Sequence, residues 1–121
     1  MIEDVLYNYL KDRIVDGRIY PDVLPEVEIY PSITYQLVSD DSLHTLNKSI
    51  AMVDKTYLFS VWGASRKETR QIGQQLITLL DNYQGDIEGM YIDSIVKVSE
   101  TDIFDDGIYG KKIEFTISFK A

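Results

Sequence analysis

From Ile113 to Lys120 apolar and polar residues alternate without a break, Ile113, Phe115, Ile117 and Phe119 against Glu114, Thr116, Ser118 and Lys120. A period of two belongs to a strand that is dry on one face and wet on the other. The chain must therefore build a sheet and cover one side of it with something apolar. Two helical patterns can supply the cover. Ile2, Val5, Leu6, Tyr9, Leu10 and Ile14 recur at spacings of three and four and stop at Asp16-Gly17, where Gly17 suits the left-handed position after a helix. Ser65-Arg66-Lys67-Glu68 reads as a capping box, the Ser65 hydroxyl accepting from the Glu68 amide while the Glu68 carboxylate reaches back to the Ser65 amide. It opens a helix to about Asn82 with Thr69, Ile72, Leu76, Leu79 and Leu80 on one face. Gly73 on that face costs about 1 kcal/mol against Ala and predicts close approach to the sheet.

Three further strands follow from the same reasoning. Ser32–Ser39 alternates, Lys55–Trp62 is apolar on nearly both faces and predicts a central strand covered on both sides, and Met90–Ser99 is the third. Pro21, Pro25 and Pro31 punctuate the segment before Ser32, which reads as loop with at most an edge strand. Asp40–Asp54 has no clean period, and Glu100–Gly110 reads as an acidic loop with a turn at Asp106-Gly107. The order α-β-β-α-β-β predicts an α+β two-layer sandwich: a mostly antiparallel four-stranded sheet with two helices on one face. Its 121 residues suit one domain over 1–121.

Composition narrows the function. Without cysteine there is no thiol catalysis, no Cys-based zinc site and no disulfide. No run of 18 apolar residues exists, and Met1-Ile2-Glu3-Asp4 is acidic where a secretory signal is basic, so neither membrane nor export is expected. Twenty acids against twelve bases, a net charge of −8, oppose a stable grip on phosphates. The one basic cluster, Arg66, Lys67 and Arg70, reads as a solvated helix face.

A search for chemistry finds no constellation that requires it. His44, the only histidine, has Ser39, Asp40, Asp41 and Ser42 near it in sequence, but no strained nucleophile turn. Asp102, Asp105 and Asp106 before Gly107 approach a calcium loop, yet Phe104 stands where a ligand belongs and Ile113 where the bidentate glutamate should be. Asp86 and Glu88 lack polar company, and no glycine-rich phosphate loop occurs. Neither catalysis, cofactor nor metal is expected.

Four segments carry a resemblance. They are the helix Met1–Leu10 followed by Gly17-Arg18-Ile19-Tyr20-Pro21-Asp22; the proline-led run Pro31–Ser39; a strand ending Val61-Trp62-Gly63-Ala64-Ser65 that turns into a long helix; and Gly89-Met90-Tyr91 opening a strand, an acidic loop and a final strand. In this order they resemble the tail-completion, or tail-terminator, proteins of long-tailed bacteriophages. The resemblance implies a structural virion protein that caps the head-proximal end of the tail tube as a six-membered ring. Such a ring stops polymerisation of the tube and offers a surface for head-tail joining. Implied partners are copies of itself, the tail-tube protein and the head-side connector, with DNA passing through without specific binding. The implied location is the head-tail junction of the virion, with host cytoplasm as the place of assembly.

Closing a ring head to tail takes two different adhesive surfaces on each copy. Leu43, Leu46, Ile50 and Met52 in the first long loop, and Ile103, Phe104, Ile108 and Tyr109 in the acidic one, are the candidates, because apolar residues concentrated in loops call for cover. A small acidic inhibitor of the immunity or antitoxin type accommodates the same size and charge.

Overall fold

The computed structural model describes residues 2–24, 29–43 and 52–120, with the backbone alone given for 41–43 and 52. It contains helices α1 (Ile2–Leu10) and α2 (Arg66–Leu80) and six strands: β1 (Ile19–Pro21), β2 (Ser32–Leu43), β3 (Met52–Gly63), β4 (Gly85–Ile87), β5 (Met90–Asp105) and β6 (Ile108–Lys120). All six share one sheet in the order β1-β2-β3-β6-β5-β4. Only β1 and β2 run parallel; the other neighbours are antiparallel.

The expected four-stranded, two-layer sandwich is therefore incorrect; the sheet is six-stranded, mixed and curled into a half-barrel. Two short strands account for much of the difference. At β1 the Ile33 amide donates to the Arg18 carbonyl at 2.9 Å, and the Asp22 amide to the Tyr35 carbonyl at 2.9 Å. Pro21 ends β1, where its missing donor is tolerated at a sheet edge. β4 returns into β5 through Glu88 and Gly89 at φ 49° and 83°, the left-handed pair that two-residue hairpins favour. The curl has a local cause too. Register shifts between Leu37 and Ser39 in β2, and between Lys97 and Ser99 in β5, insert bulges that add twist.

Glu100–Gly110, expected as a loop, is instead the outer half of a hairpin. Asp102 pairs with Lys111, Phe104 with Tyr109 and Asp105 with Ile108, and the turn is Asp106-Gly107 at φ 52° and 81°. Asp40–Leu43 and Met52–Asp54 likewise prolong β2 and β3.

One hydrophobic cluster fills the concave side. Ile33, Tyr57, Phe59, Ile113, Phe115 and Ile117 come from the sheet, Leu6 and Leu10 from α1, and Leu76 and Leu80 from α2. The convex side of β3 has no second layer among the described residues: Leu58 and Trp62 are half-buried, with the Trp62 indole donating to Thr34 Oγ1 at 3.0 Å. β3 is central in strand order, but covered by helices on one face alone.

At the start of α2 the Ser65 hydroxyl accepts from the Glu68 amide at 3.1 Å, and the Glu68 carboxylate takes the Ala64 amide at 3.0 Å, one residue earlier than expected. Gly73 sits where a Cβ would lie 2.7 Å from Lys111 Cδ, so the missing side chain lets the helix rest on the lysine stem. α1 ends at Leu10 rather than Ile14, because the chain tightens into a turn; Ile14 and Val15 nevertheless remain buried.

Candidate assembly surfaces

The two hairpin ends lie at opposite ends of β3. Leu43 pairs with Met52 at one end, and Tyr109 pairs with Gly63 at the other. The twelve-residue β3 runs between them, eleven steps or roughly 37 Å at about 3.4 Å per residue. Leu46 and Ile50 fall outside the described residues, as does His44. Ile103, Phe104, Ile108 and Tyr109 come together at the tip of the β5–β6 hairpin. Only Phe104 is largely exposed, at 59%; its ring stands 4.8 Å from that of Tyr109. Ile103 is half-buried against Gly110, where an added Cβ would meet it at 2.7 Å, and Ile108 lines a groove with Trp62 and Asp22.

An ion network locks this arm to α2. Arg66 donates to the Gly110 and Ile103 carbonyls at 2.8 and 2.9 Å, lies over the Tyr109 ring and pairs with Asp102 at 3.5 Å. Arg70 reaches Asp102 at 3.2 Å, Lys111 reaches Asp102 and Glu100 at 3.4 and 3.0 Å, and Lys97 reaches Glu100 at 2.9 Å. Four cations thus share two carboxylates, a net +2 within a chain of −8. Hydrogen bonds from Lys97 and Lys111 hold the Glu100 carboxyl below its usual range. Partial burial pulls Asp102 upward, but Arg70, Lys111 and Arg66 together outweigh it and leave it lowered.

The opposite flank of the sheet carries the other sign. Glu3, Asp4, Asp22, Tyr35, Gln36, Leu37, Pro21 and Tyr57 line a groove of about 370 Å³ containing three carboxylates and no base. The Tyr57 hydroxyl donates to Glu3 Oε1. Burial raises the Glu3 carboxyl, yet this bond, the backbone and the Lys55 charge bring it below its ordinary value. Burial, with the Glu3 bond and charge behind it, drives Tyr57 far upward, and burial with nearby acids raises Tyr35.

Both lateral edges of the sheet are guarded only in part. β1 pairs with β2 as far as Tyr35; beyond it Leu37 and Val38 are 46% and 48% exposed. β4 covers Met90–Ile92 of β5, after which the Asn82 amide caps the Ile95 carbonyl at 2.8 Å and Asp81 accepts from the Lys97 amide at 2.9 Å. Val96 and Val98 beside that cap are 50% and 57% exposed. Among the described residues no strand pairs with the outer side of β2 beyond Tyr35, or with the outer side of β5 beyond Ile92. Sequence reasoning missed these edges. It passed over Val38 and Val98 as ordinary strand residues, since a bulge that turns a side chain outward has no one-residue signature.

Comparison with solved structures gives the architecture a context. The chain aligns over 99% of its length, and 95% of the other, with a chain of the virion of a native gene transfer agent particle, at TM-score 0.71 and 12% identity. The fold is one that a virion uses. A second solved structure aligns over 98% of this chain and 96% of its own at TM-score 0.59 and 11% identity. At such identities the likeness concerns fold alone. No family model and no curated protein matches the sequence.

Proposed function

We propose that the chain is a structural virion protein that caps the head-proximal end of a phage tail tube as a six-membered ring. The observation that carries this reading is the end-to-end likeness to a chain of a phage-like particle, which leaves no unmatched segment of any size. Unlike ends and oppositely charged flanks support it, because a ring needs surfaces that are not copies of each other. Tube protein and head-side connector are the partners on the two faces of the ring, and the exposed Phe104 with Ile103, Ile108 and Tyr109 forms one contact. Leu43 and Met52 at the far end of β3, with Leu46 and Ile50 from the segment of sequence between them, form the other. The role is mechanical and needs no covalent step. Excess negative charge lets DNA slide past without ion pairing.

The test is electron microscopy of a lysate from a phage or prophage with an early stop codon in this gene. Filled heads beside free or overlong tails are the expected result. Normal joined virions would sink the reading and favour an acidic inhibitor, for which a toxin gene alongside is the marker.

A further inference from the structure

We infer that successive copies of this chain join edge to edge, the acidic β2 flank of one against the cationic β5 flank of the next. The inference rests on the ring reading and names the surfaces that would close it. β2 and β5 are separated by β3 and β6 in the sheet, three strand spacings or roughly 14 Å apart. They are different strands on opposite sides of the sheet and so suit a head-to-tail contact rather than a two-fold one.

Three properties match across the two flanks. Each edge has a guard strand of three residues followed by a stretch with no outer strand partner among the described residues. Each exposes two neighbouring aliphatic side chains at a bulge, Leu37 and Val38 on one, Val96 and Val98 on the other. And the charges are opposite. Glu3, Asp4 and Asp22 surround the groove where β1 stops, whereas Arg66, Arg70, Lys97 and Lys111 outnumber Glu100, Asp102 and Asp81 beside β5. Arg70, 63% exposed, has room to take a second acidic partner. The bulges interrupt both ladders, which discourages addition of an arbitrary strand. Recognition therefore falls to the aliphatic pairs and the charges, and a second copy is the occupant that supplies both.

Sedimentation velocity of the full chain over a concentration series, at low and high salt, tests the contact. Wild type should associate reversibly, and more weakly as salt rises. Arg70→Glu and Asp4→Lys, both at exposed positions, should each weaken association by about tenfold or more, because like charges then face each other. Mixing the two variants is the decisive arm. Each retains one intact flank and the two altered flanks carry opposite charges, so an equimolar mixture should associate where neither variant does alone. Variants that associate as wild type does, or a mixture that stays monomeric while wild type associates, would overturn the edge contact and leave the ring reading standing. A wild type that is monomeric throughout also overturns it, and the stop-codon lysate then decides separately whether the ring reading falls too.

Discussion

Ser65, Tyr57 and Gly110 each hold one local feature in place, and each makes a separate prediction. Ser65→Ala removes the acceptor for the Glu68 amide and should cost about 1 kcal/mol, a drop of a few degrees in Tm by calorimetry. Tyr57→Phe removes the side-chain donor to the Glu3 carboxylate, while Glu3 Oε2 has no hydrogen-bond partner among the described residues. Glu3 is partly solvated, so the loss should be near 1 kcal/mol rather than the roughly 2–3 of a fully buried charged bond, read from urea midpoints. Gly110→Ala should be the costliest, because its Cβ would stand 2.7 Å from Ile103 and 3.0 Å from the Trp62 ring. Overpacking of that kind costs about 1–3 kcal/mol. Ser65 and Gly73 were legible in the sequence, since capping chemistry and a glycine on an apolar helix face have local signatures. Gly110 was not, because its constraint comes from Trp62, a neighbour 48 positions away.

The β5–β6 hairpin shows where the sequence reading fell short. Asp106-Gly107 was identified as a turn, yet its flanks were read as loop because Glu100 and Asp102 hide the alternation behind charge. Those two carboxylates lie two apart on one face of a strand, where α2 presents Arg66 and Arg70. Within the basic cluster read as a solvated face, Arg66 and Arg70 form a clamp, while Lys67 is exposed. The cations lower both Glu100 and Asp102, and Glu3 is lowered as well. A carboxyl with a depressed folded pKa stabilises fully above its unfolded value and loses that contribution as pH falls through the folded one. Stability should therefore be flat from about pH 5 to about 9, decline as pH drops below about 4, and fall again above about 10 because Tyr57 and Tyr35 are raised in the folded state. In urea titrations Asp102→Asn should flatten that decline while lowering stability at neutral pH, by about 1 kcal/mol after allowance for screening. If the double variant Glu100→Gln, Asp102→Asn kept the wild-type acid slope, the clamp would not be its source.

The helices and main strands were readable along the whole chain because burial on one side imposes a period. The extra strands were not: β1 and β4 are three residues each, too short to show any period, and their place is fixed by distant partners. What makes the sheet curl, and what leaves its two margins exposed, is likewise set between strands rather than along them. The candidate surfaces followed the same division. The apolar tip around Phe104 was visible as composition, whereas the opposed charges of the two margins emerged only once Glu3, Asp4 and Asp22 were brought to one flank and Arg66, Arg70 and Lys111 to the other.

β6 sits in the middle of the sheet between β3 and β5, yet it lies more than 40 residues beyond β3 in the chain. During synthesis β2 and β3 can pair as a hairpin, but β5 has no inner neighbour until residues 108–120 have left the ribosome. Loop closure over that span precedes any reward from pairing, so the step is slow and the half-made sheet is open to proteases and to other chains. A ribosome-bound fragment stopped before Ile108 should accordingly be cut by a dilute protease that spares the finished protein. If the proposed ring role holds, copies of this protein become available to a growing particle only as whole molecules, released and folded, and not as partly made chains that could lodge in it early.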